Sequence, residues 1–141
     1  MNSCLEAEIA VSKNAWSSWV LRSDNGNRWT VGAVIGPVHN ETTLFHLGGN
    51  KWLAAARREY VELSRSDDDC QSWHSLGPVT ERNEINGHLQ KLADGRLLLT
   101  FGRRLADRYG VGMRLSGDEG RTWKVDRSIV GTSAAAVLRF I

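Results

Sequence analysis

Residues Ser116-Gly117-Asp118-Glu119-Gly120-Arg121-Thr122-Trp123 set an Asp five positions before a Trp with a Gly between them. Two looser copies lie upstream: Arg22 to Trp29, containing Asp24 and Gly26, and Ser66 to Trp73, containing Asp68. Trp29, Trp73 and Trp123 fall 44 and 50 residues apart. A turn motif returning at such intervals constrains the chain to a repeat architecture with one supersecondary unit per repeat. The chemistry of the motif is local. Ser and Asp side chains accept nearby backbone N–H groups, the Gly permits positive φ, and the Trp pins the turn to the sheet. These residues are therefore read as structural. Asp67-Asp68-Asp69 lacks the Gly and distal Glu of a calcium loop, so no metal is expected there. Cys70 replaces the Gly of the second copy, and Arg22 and Arg28 replace Ser and Thr in the first, which predicts looser turns at both.

The segments between the motifs read as strands. Thr42 to Leu47 and Lys51 to Arg57 flank Gly48-Gly49-Asn50, while Leu89 to Leu92 and Arg96 to Phe101 flank Ala93-Asp94-Gly95. Apolar runs split by such residues signal hairpins. The two stretches superpose at an offset of 45 residues. The repeat is thus a four-stranded antiparallel unit, strands a to d, with the Asp–Trp motif as the c-to-d turn. Lys51 to Tyr60 has helical propensity, but its counterpart Arg96-Leu97-Leu98-Leu99 is strand-like, so strand is expected. The layout is all-β, about two and a half to three blades in one domain over 1–141, with 132–141 starting a further inner strand. Closed propellers use 4–8 blades. Residues 1–141 therefore read as part of a ring, and self-association through exposed blade faces is the other way to cover them.

Composition narrows the partners. A net charge of +2 gives no footprint for nucleic acid, and no apolar run approaches a membrane span of ~20 residues. No signal peptide is visible at the start, and the compartment stays open. Cys4 and Cys70 form neither a disulfide framework nor a metal motif. The 14 Arg against four Lys favour groups that grip carboxylates in bidentate fashion. On the face opposite the Asp–Trp turns, the layout gathers Glu41, Arg57, Arg58, His88, Arg108 and Tyr109, with Asn40, Asn86, Arg103 and Arg104 beside them. Trp16 and Trp19 are read as packing residues, with sugar stacking as the alternative.

The S-x-D-x-G-x-T-W pattern is the Asp-box, and the chain resembles the exo-sialidase (neuraminidase) family of Asp-box, or BNR-repeat, β-propellers. Asn40-Glu41, the Gly48-Gly49-Asn50 hairpin and Arg57 are similar to the family's glutamate, hairpin and arginine. Arg108 before Tyr109-Gly110-Val111-Gly112 is similar to a further arginine. The resemblance implies that Glu41 polarises a tyrosine nucleophile. It also implies that Arg57 and Arg108, with Arg58, Tyr109 and His88 nearby, bind the carboxylate of a sialic acid-type sugar without a cofactor. Family members are often secreted. An Arg cluster holds such a carboxylate by charge-assisted bonds. The reaction passes through an oxocarbenium-like state with a tyrosine as nucleophile, and that tyrosine needs a base. The family's first arginine and acid/base aspartate have no counterpart, and Ala134-Ala135-Ala136 stands where the tyrosine is expected. The expectation is a sialidase-like glycoside hydrolase segment, inactive alone. The alternatives are a non-enzymatic carbohydrate-binding propeller and, more weakly, a glycosidase of neutral glycans.

Overall fold

The computed structural model describes residues 3–12 and 15–131. Among these, eleven strands form three antiparallel sheets, each in chain order. The first holds β1 (Ser3–Ser12), β2 (Ala15–Ser23) and β3 (Thr30–Pro37). The second holds β4 (Thr42–Gly48), β5 (Lys51–Arg57), β6 (Val61–Ser66) and β7 (His74–Pro78). The third holds β8 (Glu84–Lys91), β9 (Leu97–Arg103), β10 (Gly110–Ser116) and β11 (Lys124–Gly131). Two four-stranded blades and the b, c and d strands of another are thus present. β5 pairs with both β4 and β6, so residues 51–57 are strand. The expected inner strand at 132–141 lies outside the described residues.

Stacking of the blades explains the burial pattern. Successive side chains of a strand point to opposite faces. Leu53 and Ala55 of β5 enter one core with Val61, Leu63, Leu99 and Phe101, between the second and third blades. Ala54, between them in sequence, enters the other core with Val20, Ile35 and Cys70, toward the first blade. The middle blade is therefore covered on both faces, and every residue of β6 is buried. β11 is exposed along its whole length. Burying one Leu fully contributes about 1.5–3 kcal/mol, so these two seams dominate the packing.

All three Asp-boxes are c-to-d turns, following β2, β6 and β10. In the third, Ser116 Oγ accepts from Gly120 N at 2.9 Å, Asp118 Oδ1 accepts from Thr122 N at 2.8 Å, and Trp123 Nε1 donates to Gly120 O at 3.1 Å. The second repeats the two side-chain-to-backbone bonds, with Cys70 N on Ser66 Oγ at 2.9 Å and Ser72 N on Asp68 Oδ1 at 2.9 Å, but Trp73 Nε1 has no partner among the described residues. It is not the looser turn that the sequence suggests. Cys70 takes φ 61° and keeps the bonds, and its side chain fills the seam with the first blade. The first box differs from expectation too. Its acceptors are Ser23, from Gly26 N at 2.8 Å, and Asn25, from Asn27 N at 2.9 Å. Asn25, not Asp24, does the work of the box Asp. Ser23 and Asn25 keep the S-x-D spacing, and the turn closes one residue sooner, with Trp29 Nε1 on Gly26 O at 3.1 Å.

The same register yields a blade-to-blade clip. The Arg just before the box Ser reaches the fourth box position of the next blade: Arg22 to Asp69 at 3.1 Å, and Arg65 to Glu119 at 3.1 Å. Arg22 thus answers Arg65 rather than the box Ser. Leu115 stands at that place in the third blade.

The boxes also set an acid limit. The side-chain and backbone donors of Thr122, with Ser116, lower the Asp118 pKa from 3.8 to about 2, and Ser72 and Ser66 do the same for Asp68. A carboxylate depressed in the folded state contributes stability fully above its unfolded value and loses it as pH falls through the folded value. The urea midpoint should therefore fall between about pH 4 and pH 2. The drop should shrink in the Asp68→Asn, Asp118→Asn double variant. An unchanged slope would remove the boxes from the account.

Candidate functional site at the rim opposite the Asp-boxes

β5 and β9 each end in an arginine followed by a second one, Arg57-Arg58 and Arg103-Arg104, where the chain leaves for the c strand. Each first arginine meets a glutamate at the head of its blade's inner strand. Arg57 Nη1 bonds both Glu41 oxygens, at 2.8 and 2.9 Å, and the Arg57 N–H donates to Glu41 O at 2.9 Å. Arg103 Nε bonds Glu84 Oε1 at 2.8 Å. The two pairs are equivalent in position and opposite in environment. The Glu41 side chain is 53% exposed, whereas Glu84 is 0% and Arg103 3% exposed. Arg103 also contacts Asp126 and Ser128, and it stacks over Phe101 at 5.3 Å. Arg103 is accordingly an internal brace of the third blade, not a rim residue.

Glu41 is where two blades meet electrostatically. Partial burial pushes its carboxyl upward. The Arg57 hydrogen bond, its own backbone N–H and the charges of Arg57 and Arg104 together outweigh that and hold it below the ordinary value. Arg104 comes from the third blade, where its N–H donates to Asn83 O at 2.8 Å. Its exposed guanidinium makes no ion pair among the described residues. Arg57 spends only Nη1 on Glu41, and a guanidinium offers five N–H donors. Nε and Nη2 engage no partner among the described residues.

The other expected site residues are distributed differently. Arg108 Nη2 pairs with Glu81 at 3.1 Å and Arg108 Nε lies 3.6 Å from Asp107, so it is held by two acids other than Glu41. Tyr109, next to it, is 39% exposed. β8 starts at Glu84, before the Leu89 at which the sequence reading begins it. This places His88 in mid-strand opposite Thr100 rather than at the rim. A bulge between Ile85 and His88, with Asn86 at φ 59°, accounts for the shift. Arg58 Nη1 binds Glu62 Oε2 at 3.0 Å.

Beside Arg57 opens a cleft of about 420 Å³ lined by Trp16, His39, Asn40, Arg57, Arg58 and Tyr60. Sequence reading missed His39, a buried residue between β3 and β4. Its Nε2 lies 3.6 Å from Glu62 Oε1, and neither ring nitrogen makes a hydrogen bond among the described residues. Burial holds His39 below its usual pKa although the Glu62 charge opposes this. The only sequence signal was a lone His after Gly36-Pro37-Val38, which the equivalent Gly77-Pro78-Val79 does not share.

No protein-family model matches this chain, and no curated protein matches it in sequence. Solved structures do resemble it. The Hadza microbial sialidase Hz136 superposes with a TM-score of 0.70 at 15% identity, over 93% of this chain and 28% of that one. The Trypanosoma rangeli sialidase gives 0.66 at 14% identity, over 83% and 22%. The chain spans about a quarter of the length of these structures. At such identities the likeness establishes architecture: three successive blades with the fold of a sialidase-type β-propeller.

Proposed function

We propose that this chain is a sialidase-like propeller segment that binds the carboxylate of a sialic acid-type sugar through Arg57, held by Glu41, and Arg104. The observation that carries this reading is the Glu41–Arg57 pair, whose glutamate is exposed and whose arginine is half-buried with N–H groups to spare, with the Arg104 charge acting on the same carboxylate. A ligand carboxylate takes the N–H groups of Arg57 that Glu41 leaves, and Arg104 supplies the second cation. Charge-assisted bidentate bonds of this kind are stronger than neutral ones. Arg104 replaces Arg108 in this role, because Arg108 already holds Glu81 and Asp107.

Catalysis is not expected of these residues by themselves. Among the described residues Glu41 has no tyrosine hydrogen-bonding partner, and removing members of a catalytic set leaves only residual acceleration. N-acetylneuraminic acid should bind at about millimolar strength, ~4 kcal/mol. Its methyl ester, which lacks the negative charge, should bind at least about tenfold more weakly, a difference of ~1.4 kcal/mol. Arg57→Ala and Arg104→Ala should each weaken the acid, and Arg108→Ala should leave it unchanged. NMR titration of the chain checks this; equal binding of acid and ester would refute it. A fluorogenic sialoside should give no turnover. Turnover lost in Glu41→Gln would instead identify Tyr60 or Tyr109 as a nucleophile.

A further inference from the structure

The first blade reaches the segment that carries Glu41 through a buried hydroxyl. Residues 16, 18 and 20 of β2 share one face of the strand. Val20 is buried in the seam with the second blade. Trp16 is 48% exposed, so it is not the packing residue that the sequence suggests. Between them, buried Ser18 sets its Oγ 2.7 Å from the Oγ1 of Thr42, the buried first residue of β4. Thr42 Oγ1 donates to Asn40 O at 2.9 Å, and Ser18 Oγ lies 3.3 Å from the same oxygen as a second donor. Asn40 lies outside the β4–β5 ladder, so these hydroxyls are what its carbonyl bonds among the described residues. The Arg57 backbone holds the same segment at two further points. Asn40 N–H donates to Arg57 O and Arg57 N–H donates to Glu41 O, both at 2.9 Å.

The next seam supplies a contrast. Ser18 stands five residues before the box Ser23, as Val61 does before Ser66, and Thr42 follows Glu41 as Ile85 follows Glu84. Val61 and Ile85 are both buried and aliphatic. Beside them Glu84 already belongs to β8 and its carboxylate is fully buried, whereas Glu41 precedes β4 and its carboxylate is exposed. Buried hydroxyls cost free energy unless they are hydrogen-bonded. In this seam they are bonded to each other and to the peptide that leads into Glu41.

We infer that Ser18 and Thr42 are positioning residues for the Glu41–Arg57 pair: their hydroxyls fix the Asn40 peptide so that Glu41 stands ahead of its strand with the carboxylate at the rim, against Arg57 Nη1. Neither residue touches a ligand. The first blade in this way sets the geometry of an anion site built on the second. The effect on ligand affinity rests on carboxylate binding at Arg57 and Arg104, and the effect on Glu41 does not. Thr43 supplies an internal control. Its Oγ1 donates to Gly87 O of the third blade at 3.1 Å and has no bond to Asn40.

The test is a pH titration of the Glu41 side-chain ¹³C carboxyl signal in the full chain, with urea unfolding and an NMR titration with N-acetylneuraminic acid beside it. In the parent chain Glu41 should titrate below the ordinary carboxylate value. Partial burial raises it, but the Arg57 hydrogen bond, its own backbone N–H and the charges of Arg57 and Arg104 outweigh that. Ser18→Ala combined with Thr42→Val leaves Asn40 O without either donor. It should move the Glu41 titration upward and weaken the acid about threefold to tenfold, the scale of one hydrogen bond. Either hydroxyl alone still reaches Asn40 O, so the double variant should exceed the sum of the singles. Thr42→Ser, which keeps the hydroxyl, should titrate as the parent does. Thr43→Val should lower the urea midpoint and leave Glu41 in place. Absence of N-acetylneuraminic acid binding by the parent, together with a Glu41 shift in the double variant, would refute the carboxylate reading and keep this one. A folded double variant in which Glu41 titrates as in the parent would overturn it, even with a lowered urea midpoint. An equal shift in Thr43→Val would do the same. Where the double variant does not fold, Thr42→Val decides by the same criterion.

Discussion

Glu84→Ala will destabilise the chain by about 3–5 kcal/mol, the usual loss when one partner of a buried ion pair is removed. Glu84 is 0% exposed and its carboxylate faces two arginines, Arg103 at 2.8 Å and Arg114 at 3.9 Å. It also accepts the Glu81 N–H at 3.1 Å. The alanine leaves Arg103 buried, with Asp126 as its remaining acid, and unties the turn carrying Glu81, the partner of Arg108. Glu84→Leu combined with Arg103→Met should recover most of the loss, because replacing a whole buried pair by apolar residues of similar size is often close to neutral. Urea unfolding measures both. A loss below about 1 kcal/mol for Glu84→Ala would mean that the pair behaves as a surface contact. The equivalent Glu41→Ala should fall in that surface range, ~0–1 kcal/mol.

The seam between the second and third blades should show the other large effect. Leu53→Ala removes a fully buried side chain and should cost about 2–5 kcal/mol. Gly120→Ala attacks the same contact from the other side. A Cβ at Gly120 would stand 2.7 Å from Leu53 Cδ1, and the residue has φ 84°. Overpacking costs about 1–3 kcal/mol, and the left-handed backbone adds about 1–2. In the double variant the clash disappears and the cavity is partly filled, so the total should fall short of the sum of the singles. Only the backbone part of the Gly120 penalty should persist. Strict additivity would show that Leu53 and Gly120 do not share this contact.

The two boxes show where sequence reading succeeds and where it stops. The backbone N–H groups that Ser116 and Asp118 accept lie at most four residues along the chain, so the turn can be recognised from eight consecutive letters. Whether Gly or Cys suits its φ-positive position depends on what lies across the seam. At Gly120 it is Leu53, which leaves no room for a Cβ. At Cys70 it is the core of Val20, Ile35 and Ala54, which the thiol side chain completes. Those neighbours are distant in sequence, so the looser turn expected at Cys70 had no local evidence against it. In the first box, the distance to Trp29 points to Arg22 and Asp24, but the turn is one residue shorter and is closed by Ser23 and Asn25.

The candidate site follows the same division. Glu41 and Arg57 were identifiable because both flank one hairpin, and the β4–β5 register brings them together. Arg104 and Arg108 could not be ranked from sequence, since both lie in the connection between β9 and β10. The fold hands Arg108 to Glu81 and Asp107 and brings the Arg104 charge to bear on Glu41.

The sequence by itself determined the all-β repeat, the strand order within each blade and, to within a residue, where the three turns fall. Period-two burial, hairpin residues and side-chain-to-backbone bonds all act over a few residues. Only the tertiary structure decided that the Glu84–Arg103 pair is buried while Glu41 of the equivalent pair is exposed, and that His39 is buried beside Glu62. Those outcomes depend on which blade packs against which face. Burial and pairing are set by neighbours that the chain brings together across the seams.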